Sequence, residues 1–222
     1  MQIKNNILRH YLRNCYFITG TAYAGKSTMC AMLAERFGLL HCGENWGLDD
    51  FRAIATQEDQ PATGYFSRMG SWQAFVLRTP DEYEQWIDGS AWERADFEAA
   101  ELIRISADRK VIVDTNIPVE LLREISDYDH VAVMLSPQSM SVERFFDRGD
   151  EEKQFLLRVI ESCPDPDAAL ANFRACIARV NSPERYRALA ESGLFTVVRQ
   201  PEDGDTREAT LTALARHFGF MA

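Results

Sequence analysis

Apolar and polar positions change period repeatedly along this chain. From Lys26 to Phe37, Met29, Met32, Leu33 and Phe37 recur at helical spacing, and Gly38 follows as a helix stop. Just before that helix, residues 15–19 form a short apolar and aromatic run ending at Gly20, which predicts a strand. Ile3, Ile7, Leu8, Tyr11 and Leu12 predict a short helix at the N-terminus. Residues 39–42 are a second strand candidate. Residues 110–114 and 130–135 are nearly continuous apolar runs of the kind that suits parallel strands buried on both faces. The first of these runs ends at Asp114, which places a carboxylate at a strand's C-terminal end. Helices are expected from about 96 to 107, from Pro118 onward, around 139–148, 151–162 and 168–181, and from Ser182-Pro183 to Gly193. Residues 194–199 form a last strand, and a terminal helix runs to Phe218. Five strands alternating with helices predict an α/β fold with a doubly wound sheet covered on both faces, whose ligands bind beyond the strands' carboxyl ends.

Residues 43–95 break this rhythm. They form a long, aromatic, acidic stretch with turn signals at 59–61, 79–81 and 88–90, and are expected to hold short helices. No internal repeat or Gly/Ser linker divides the 222 residues, so one domain over 1–222 is expected, with 43–95 as an insertion. Apolar residues at 46 % and charged residues at 26 % are an ordinary globular mix. The formal charge of −10 argues against duplex nucleic acid or an anionic membrane as partner, which leaves small molecules. Residues 14–25 are uncharged, but too short for a bilayer that needs about 20 apolar residues. The N-terminus carries Lys4, Arg9 and amides where a signal peptide needs its apolar region. Five widely spaced cysteines without a Cys-x-x-Cys pair suggest neither a disulfide framework nor a zinc site, and a reducing cytoplasm is expected.

The specific chemistry lies in residues 20–27. Gly20-Thr21-Ala22-Tyr23-Ala24-Gly25-Lys26-Ser27 matches the phosphate-binding pattern G-x-x-x-x-G-K-[ST], between a predicted strand and a predicted helix. Backbone N–H groups of such a loop and the helix start at Thr28 point at phosphates. Lys26 is expected to reach the β and γ phosphates, and the Ser27 hydroxyl to ligate Mg²⁺, with Asp114 beside it. A GTP switch would carry an N-K-x-D guanine reader, and none occurs. Motor-type ATPases follow the acidic strand end with a glutamate, whereas Asp114 is followed by Thr115 and Asn116.

On these features the chain resembles the superfamily of small P-loop kinases, which includes nucleoside, nucleoside-monophosphate, shikimate and gluconate kinases. The resemblance implies a three-layer α/β/α fold of the P-loop NTPase type, a five-stranded parallel sheet of order 2-3-1-4-5 and a helical lid. It implies ATP and Mg²⁺, with transfer of the γ-phosphate to a small-molecule acceptor, foremost a nucleoside or nucleotide. A lid over about 138–165 would carry Arg144 and Arg148, four apart and so on one helix face, to close on the γ-phosphoryl group. Arg199, Gln200 and Pro201 would border the adenine. Gly43-Glu44-Asn45-Trp46 looks like the deoxynucleoside kinase segment in which a glutamate near the acceptor precedes a tryptophan. A carboxylate there would accept the proton of the attacking hydroxyl, with Glu44 first and Asp49 and Asp50 in reserve. Trp46, Tyr65, Phe66, Trp72 and Phe75 either stack on a base or simply pack the insertion. A kinase of a non-nucleotide acceptor and an inactive nucleotide-binding module are the alternative readings.

Charge by segment bears on the acceptor. Residues 41–100 hold 12 acidic residues and 4 arginines, or −8 of the −10. That favours a neutral or cationic acceptor, with a monophosphate still open because two well-placed arginines would hold it.

Overall fold

The computed structural model describes residues 3–143, 145–146, 151–200 and 204–221. The chain begins with helix α1 (Asn5–Tyr11) and enters β1 (Cys15–Gly20), α2 (Lys26–Phe37) and β2 (Leu40–Cys42). The stretch that follows holds α3 (Leu48–Ile54), a 3-10 turn (Tyr65–Ser67), α4 (Trp72–Val76) and α5 (Pro80–Ile105). Then come β3 (Val111–Asp114), α6 (Val119–Ile125), β4 (Val131–Leu135), α7 (Gln138–Glu143), α8 (Glu151–Glu161) and α9 (Pro166–Val180). α10 (Pro183–Ala190), β5 (Phe195–Val198) and α11 (Arg207–His217) complete it.

The five strands form one sheet of order β2-β3-β1-β4-β5, and every pairing is parallel. The fold is therefore α/β with the expected order 2-3-1-4-5. β1 is central, pairing Ile18 with Asp114 of β3 and Gly20 with Met134 of β4. Alternate residues feed opposite faces, as the two-residue period of a strand requires. Tyr16, Ile18, Ile112 and Met134 pack with Met29 and Leu33 of α2 and Leu211 and Leu214 of α11. Phe17, Val111 and Val113 pack on the other face with Leu102 of α5 and Leu122 and Ile125 of α6. Each such side chain, fully buried, contributes about 1.5–3 kcal/mol. A third cluster, off the sheet, joins Phe75, Tyr83, Ile160 and Phe173 of α4, α5, α8 and α9. Tyr65, Phe66 and Trp72 also lie in this packing, through ring contacts with Phe75 at 5.2 to 6.1 Å. No helix among the described residues is long and apolar enough to cross a membrane.

The largest departure from the sequence reading is α5. The turn expected at 88–90 lies inside it, and the helix expected from 96 is only the last part of a 26-residue element. Its start is strongly specified. The Thr79 hydroxyl accepts from the Glu82 N–H at 3.2 Å, the Glu82 carboxylate accepts from the Thr79 N–H at 2.8 Å, and Pro80 occupies the first turn. Tertiary contacts then override the local turn signal of Asp88-Gly89-Ser90. The Arg185 guanidinium of α10 donates to both Asp88 oxygens. A Cβ at Gly89 would stand 3.3 Å from that of Ala62, so glycine permits the neighbouring turn to approach closely. Pro118 also differs slightly, standing just before α6 rather than opening it. Removing the cap by Thr79→Ala is expected to destabilise the protein by about 1 kcal/mol, read as a lower urea midpoint at unchanged m-value.

Candidate functional site

Because all five strands run parallel, their carboxyl ends share one edge, and most of the sequence-predicted residues meet there. The loop after β1 is shaped by positive φ at Gly20 (131°), Tyr23 (64°) and Gly25 (91°). A Cβ at Gly20 would fall 1.9 Å from the Met134 carbonyl oxygen, so only glycine fits this crossing. Immediately after it, the Thr21 N–H donates to that same carbonyl at 3.0 Å. The Thr21 hydroxyl accepts from the Ser136 N–H at 2.7 Å. Ser136 and Ser141 hydroxyls donate to the Ala22 carbonyl at 2.5 and 3.2 Å, and Ala24 is buried. The loop is thus pinned to the end of β4 and to α7.

Gly25 precedes α2 in the left-handed conformation, and no side chain caps that helix start. The Lys26 ammonium turns back to donate to the Thr21 carbonyl at 3.2 Å. The Ser27 hydroxyl donates to Asp114 Oδ2 at 2.6 Å, joining α2 to the end of β3, and Thr28 is exposed one residue on. Burial raises the Asp114 carboxyl above its ordinary value, while the Lys26 charge and the Ser27 hydrogen bond oppose that rise. Glu44 raises it further and His41 lowers it, which places both side chains within electrostatic reach. Among the three carboxylates considered after β2, Glu44 is the one whose charge acts on Asp114. Asp49 and Asp50 are exposed on the first turn of α3, with Asp49 3.8 Å from Arg52. Arg199, at the end of β5, donates to the Tyr23 carbonyl at 3.2 Å and so braces the loop. Gln200 follows it. Pro201, Arg144 and Arg148 lie outside the described residues.

A buried polar chain links this edge to α5. Arg94 donates to Asn45 Oδ1 at 3.2 Å and to Glu98 at 3.4 Å. Glu98, 2 % exposed, accepts from the Thr115 hydroxyl at 2.8 Å, which in turn accepts from the Ile117 N–H. Burial raises the Glu98 carboxyl, partly offset by Arg94 and Thr115. Sequence reasoning missed Ser136, Ser141, Glu98 and Thr115, and counted Arg94 only with Arg52, Arg68 and Arg78 as an arginine available to a phosphorylated acceptor, not as a partner of Glu98. Ser136 stands directly after a predicted strand and was findable on that ground. Arg94 and Glu98 are four apart, but the boundary set at 96 split their helix.

Oxygen donors (Ser27, Asp114), an ammonium (Lys26) and a nearby exposed carboxylate (Glu44) make an arrangement able to hold a hard cation beside a polyanion and to take a proton. A cavity of about 390 Å³, lined by Arg9, Ser126 and Leu194 among others, lies at the opposite, N-terminal ends of β4 and β5. No protein-family model matches the chain, and no curated protein matches it in sequence.

Removing one partner of a buried ion pair leaves the other charge uncompensated. Arg94→Met is therefore expected to cost about 3 kcal/mol. Adding Glu98→Gln to it recovers part of the loss, as denaturant titration of the single and double variants would show.

Proposed function

We propose that this chain is an ATP- and Mg²⁺-dependent phosphotransferase acting on a small-molecule hydroxyl acceptor, foremost a nucleoside or nucleotide. The observation that carries the reading is the Ser27–Asp114 hydrogen bond beside Lys26, within a loop whose sequence fits a P-loop. In this reading the loop N–H groups and the start of α2 receive the phosphates of ATP. Lys26 leaves the Thr21 carbonyl for the β and γ phosphates. Ser27 and Asp114 suit Mg²⁺, which is bound by hard oxygens and, beside substrate phosphates, needs only one or two carboxylates. Among the described residues no cluster of three His, Cys, Asp or Glu side chains forms a separate metal cage. When bound, the ion supplies neutralisation of phosphate charge.

Glu44 orients the acceptor hydroxyl and takes its proton, later passing it to water. The acceptor oxygen bonds to the γ-phosphorus as the bond to the β,γ-bridging oxygen breaks, and ADP leaves with that electron pair. Arg144 and Arg148 are assigned to the transferring group on their spacing in the sequence alone. Arg199, with Gln200 and Pro201, is assigned to the adenine side, and its hold on Tyr23 keeps it at the loop. A reducing, cytoplasmic setting suits five free, buried cysteines. Burial pushes Cys15 and Cys176 up to about 11 and Cys42 up to about 12, far from the thiolate.

Lys26→Ala is expected to lower ADP release in the presence of acceptor by at least about 100-fold, with the circular dichroism spectrum unchanged. Chelation of Mg²⁺ should do the same to the unmutated protein. Full turnover in Lys26→Ala, or ATP binding without transfer to nucleosides, monophosphates, polyols or aminoglycosides, overturns the reading.

A further inference from the structure

The cavity of about 390 Å³ at the N-terminal ends of β4 and β5 has the size of a small-molecule cleft and lies at the sheet edge opposite the Gly20 loop. Leu122 of α6 and Val131, which opens β4, close its floor and are themselves buried. Accessible apolar surface comes from Leu194, half-buried just before β5, and from the Tyr128 ring, 57 % exposed. That ring is held edge-on to His217 of α11 at 5.2 Å. The charged groups of the rim are Arg9 of α1, Arg123 of α6 and Asp127.

The two arginines differ in what engages them. Arg9 donates to the Arg123 and Glu124 carbonyls at 2.8 and 3.2 Å, last-turn acceptors of α6 that have no partner within the helix. It also stands 3.5 Å from Asp127 and so balances that carboxylate. Arg123 has no such commitment. Its guanidinium lies against the turn at Gly193, with Nη2 3.6 Å from where a Cβ would stand. Among the described residues no carboxylate or carbonyl accepts from it. The carboxylates nearest in sequence do not serve it: Glu124 accepts from Asn5 at 2.9 Å, and Asp129 and Glu191 are exposed and outside the lining.

The rim therefore carries one net positive charge, in a chain whose formal charge is −10. An exposed guanidinium presents paired N–H donors that match the two oxygens of a carboxylate. A monocarboxylate balances the rim, whereas a phosphate dianion would leave an excess negative charge beside Asp127.

We propose that this cavity binds a small organic carboxylate, with the carboxylate paired to Arg123 and an apolar body between Leu194 and the Tyr128 ring. The probes are phenylacetate, its neutral amide phenylacetamide, and phenyl phosphate, each titrated into the isotopically labelled full chain while backbone amide resonances are followed. Phenylacetate should move the amides of residues 122–131 and 192–195 saturably, leave those of residues 20–28 in place, and bind at least about 10-fold more tightly than the amide. Arg123→Gln should weaken phenylacetate at least about 10-fold at an unchanged melting temperature. Arg123→Lys, which keeps the charge and loses the fork, should weaken it less than Arg123→Gln does. Absence of saturable shifts at residues 122–131 and 192–195, shifts confined to residues 20–28, equal affinity for the amide, or affinity unmoved by Arg123→Gln overturns the site. Tighter binding of phenyl phosphate than of phenylacetate at the same residues overturns the carboxylate as its ligand. None of these outcomes involves Lys26 or phosphoryl transfer, so the phosphotransferase reading stands or falls separately.

Discussion

β1 is hydrogen-bonded on both sides, to β3 and to β4, and everything near the site depends on those two parallel ladders. Parallel pairing fixes direction, so the ends of β1, β2, β3, β4 and β5 deliver the Gly20 loop, Glu44, Asp114, Ser136 and Arg199 to one edge. Pairing Gly20 with Met134 then sets how closely the chain passes β4 as it leaves the sheet. No side chain fits at that crossing, so the loop turns immediately, and the next N–H, Thr21, is captured by the carbonyl just crossed. From there Ser136 and Ser141, both buried, are tied to the Ala22 carbonyl by hydrogen bonds.

α5 is the second organising element, and it works differently. At 26 residues it spans about 39 Å, long enough to reach several structures along its length. Its first turn is capped by Thr79. Glu84 and Asp88 hold Arg179 of α9 and Arg185 of α10. Glu93 ties down the turn at Ala62 and Thr63, and Arg94 and Glu98 reach the loop after β2 and the end of β3. Successive turns of one helix thus serve the helical layer first and the sheet edge last. These ion pairs are half-exposed at best except for Arg94–Glu98, so their worth lies in fixing orientation more than in stability.

The strands and α2 were legible because their patterns are local and unambiguous. Residues 111–113 are β-branched without interruption, and the helix Lys26–Phe37 has both its starting glycine and its stop at Gly38 in the sequence. Glu44 and Asp114 were legible for a topological reason, since a residue following a parallel strand has nowhere to go but the shared edge. α5 was not, because Asp88-Gly89-Ser90 is a valid turn signal that loses only to long-range partners: Arg185, nearly a hundred residues away, and the close approach of Ala62. The carboxylates of residues 41–100 are distributed in a way composition does not reveal: Glu84 and Asp88 are held by Arg179 and Arg185 from outside the segment, whereas Glu98 is held by Arg94 within it.

The same long-range network bears on how the two halves of the site stay in register. Asp114 and Glu44 are like charges close enough that one raises the pKa of the other, so the loop after β2 is not held by attraction to the end of β3. It is held by the β2–β3 pairing, which puts Cys42 opposite Val113, and through α5. Thr115, adjacent to Asp114, donates to Glu98; Glu98 pairs with Arg94; and Arg94 donates to Asn45, adjacent to Glu44. Asn45 sits at φ 62°, a left-handed conformation that asparagine tolerates better than most residues, and its side-chain oxygen is where Arg94 grips the loop. A buried chain of this kind resists small displacements, because shifting any member leaves a polar group unpaired where the dielectric is low. The neighbours of the two carboxylates, Asn45 and Thr115, are therefore tied to each other by a route that passes through neither carboxylate.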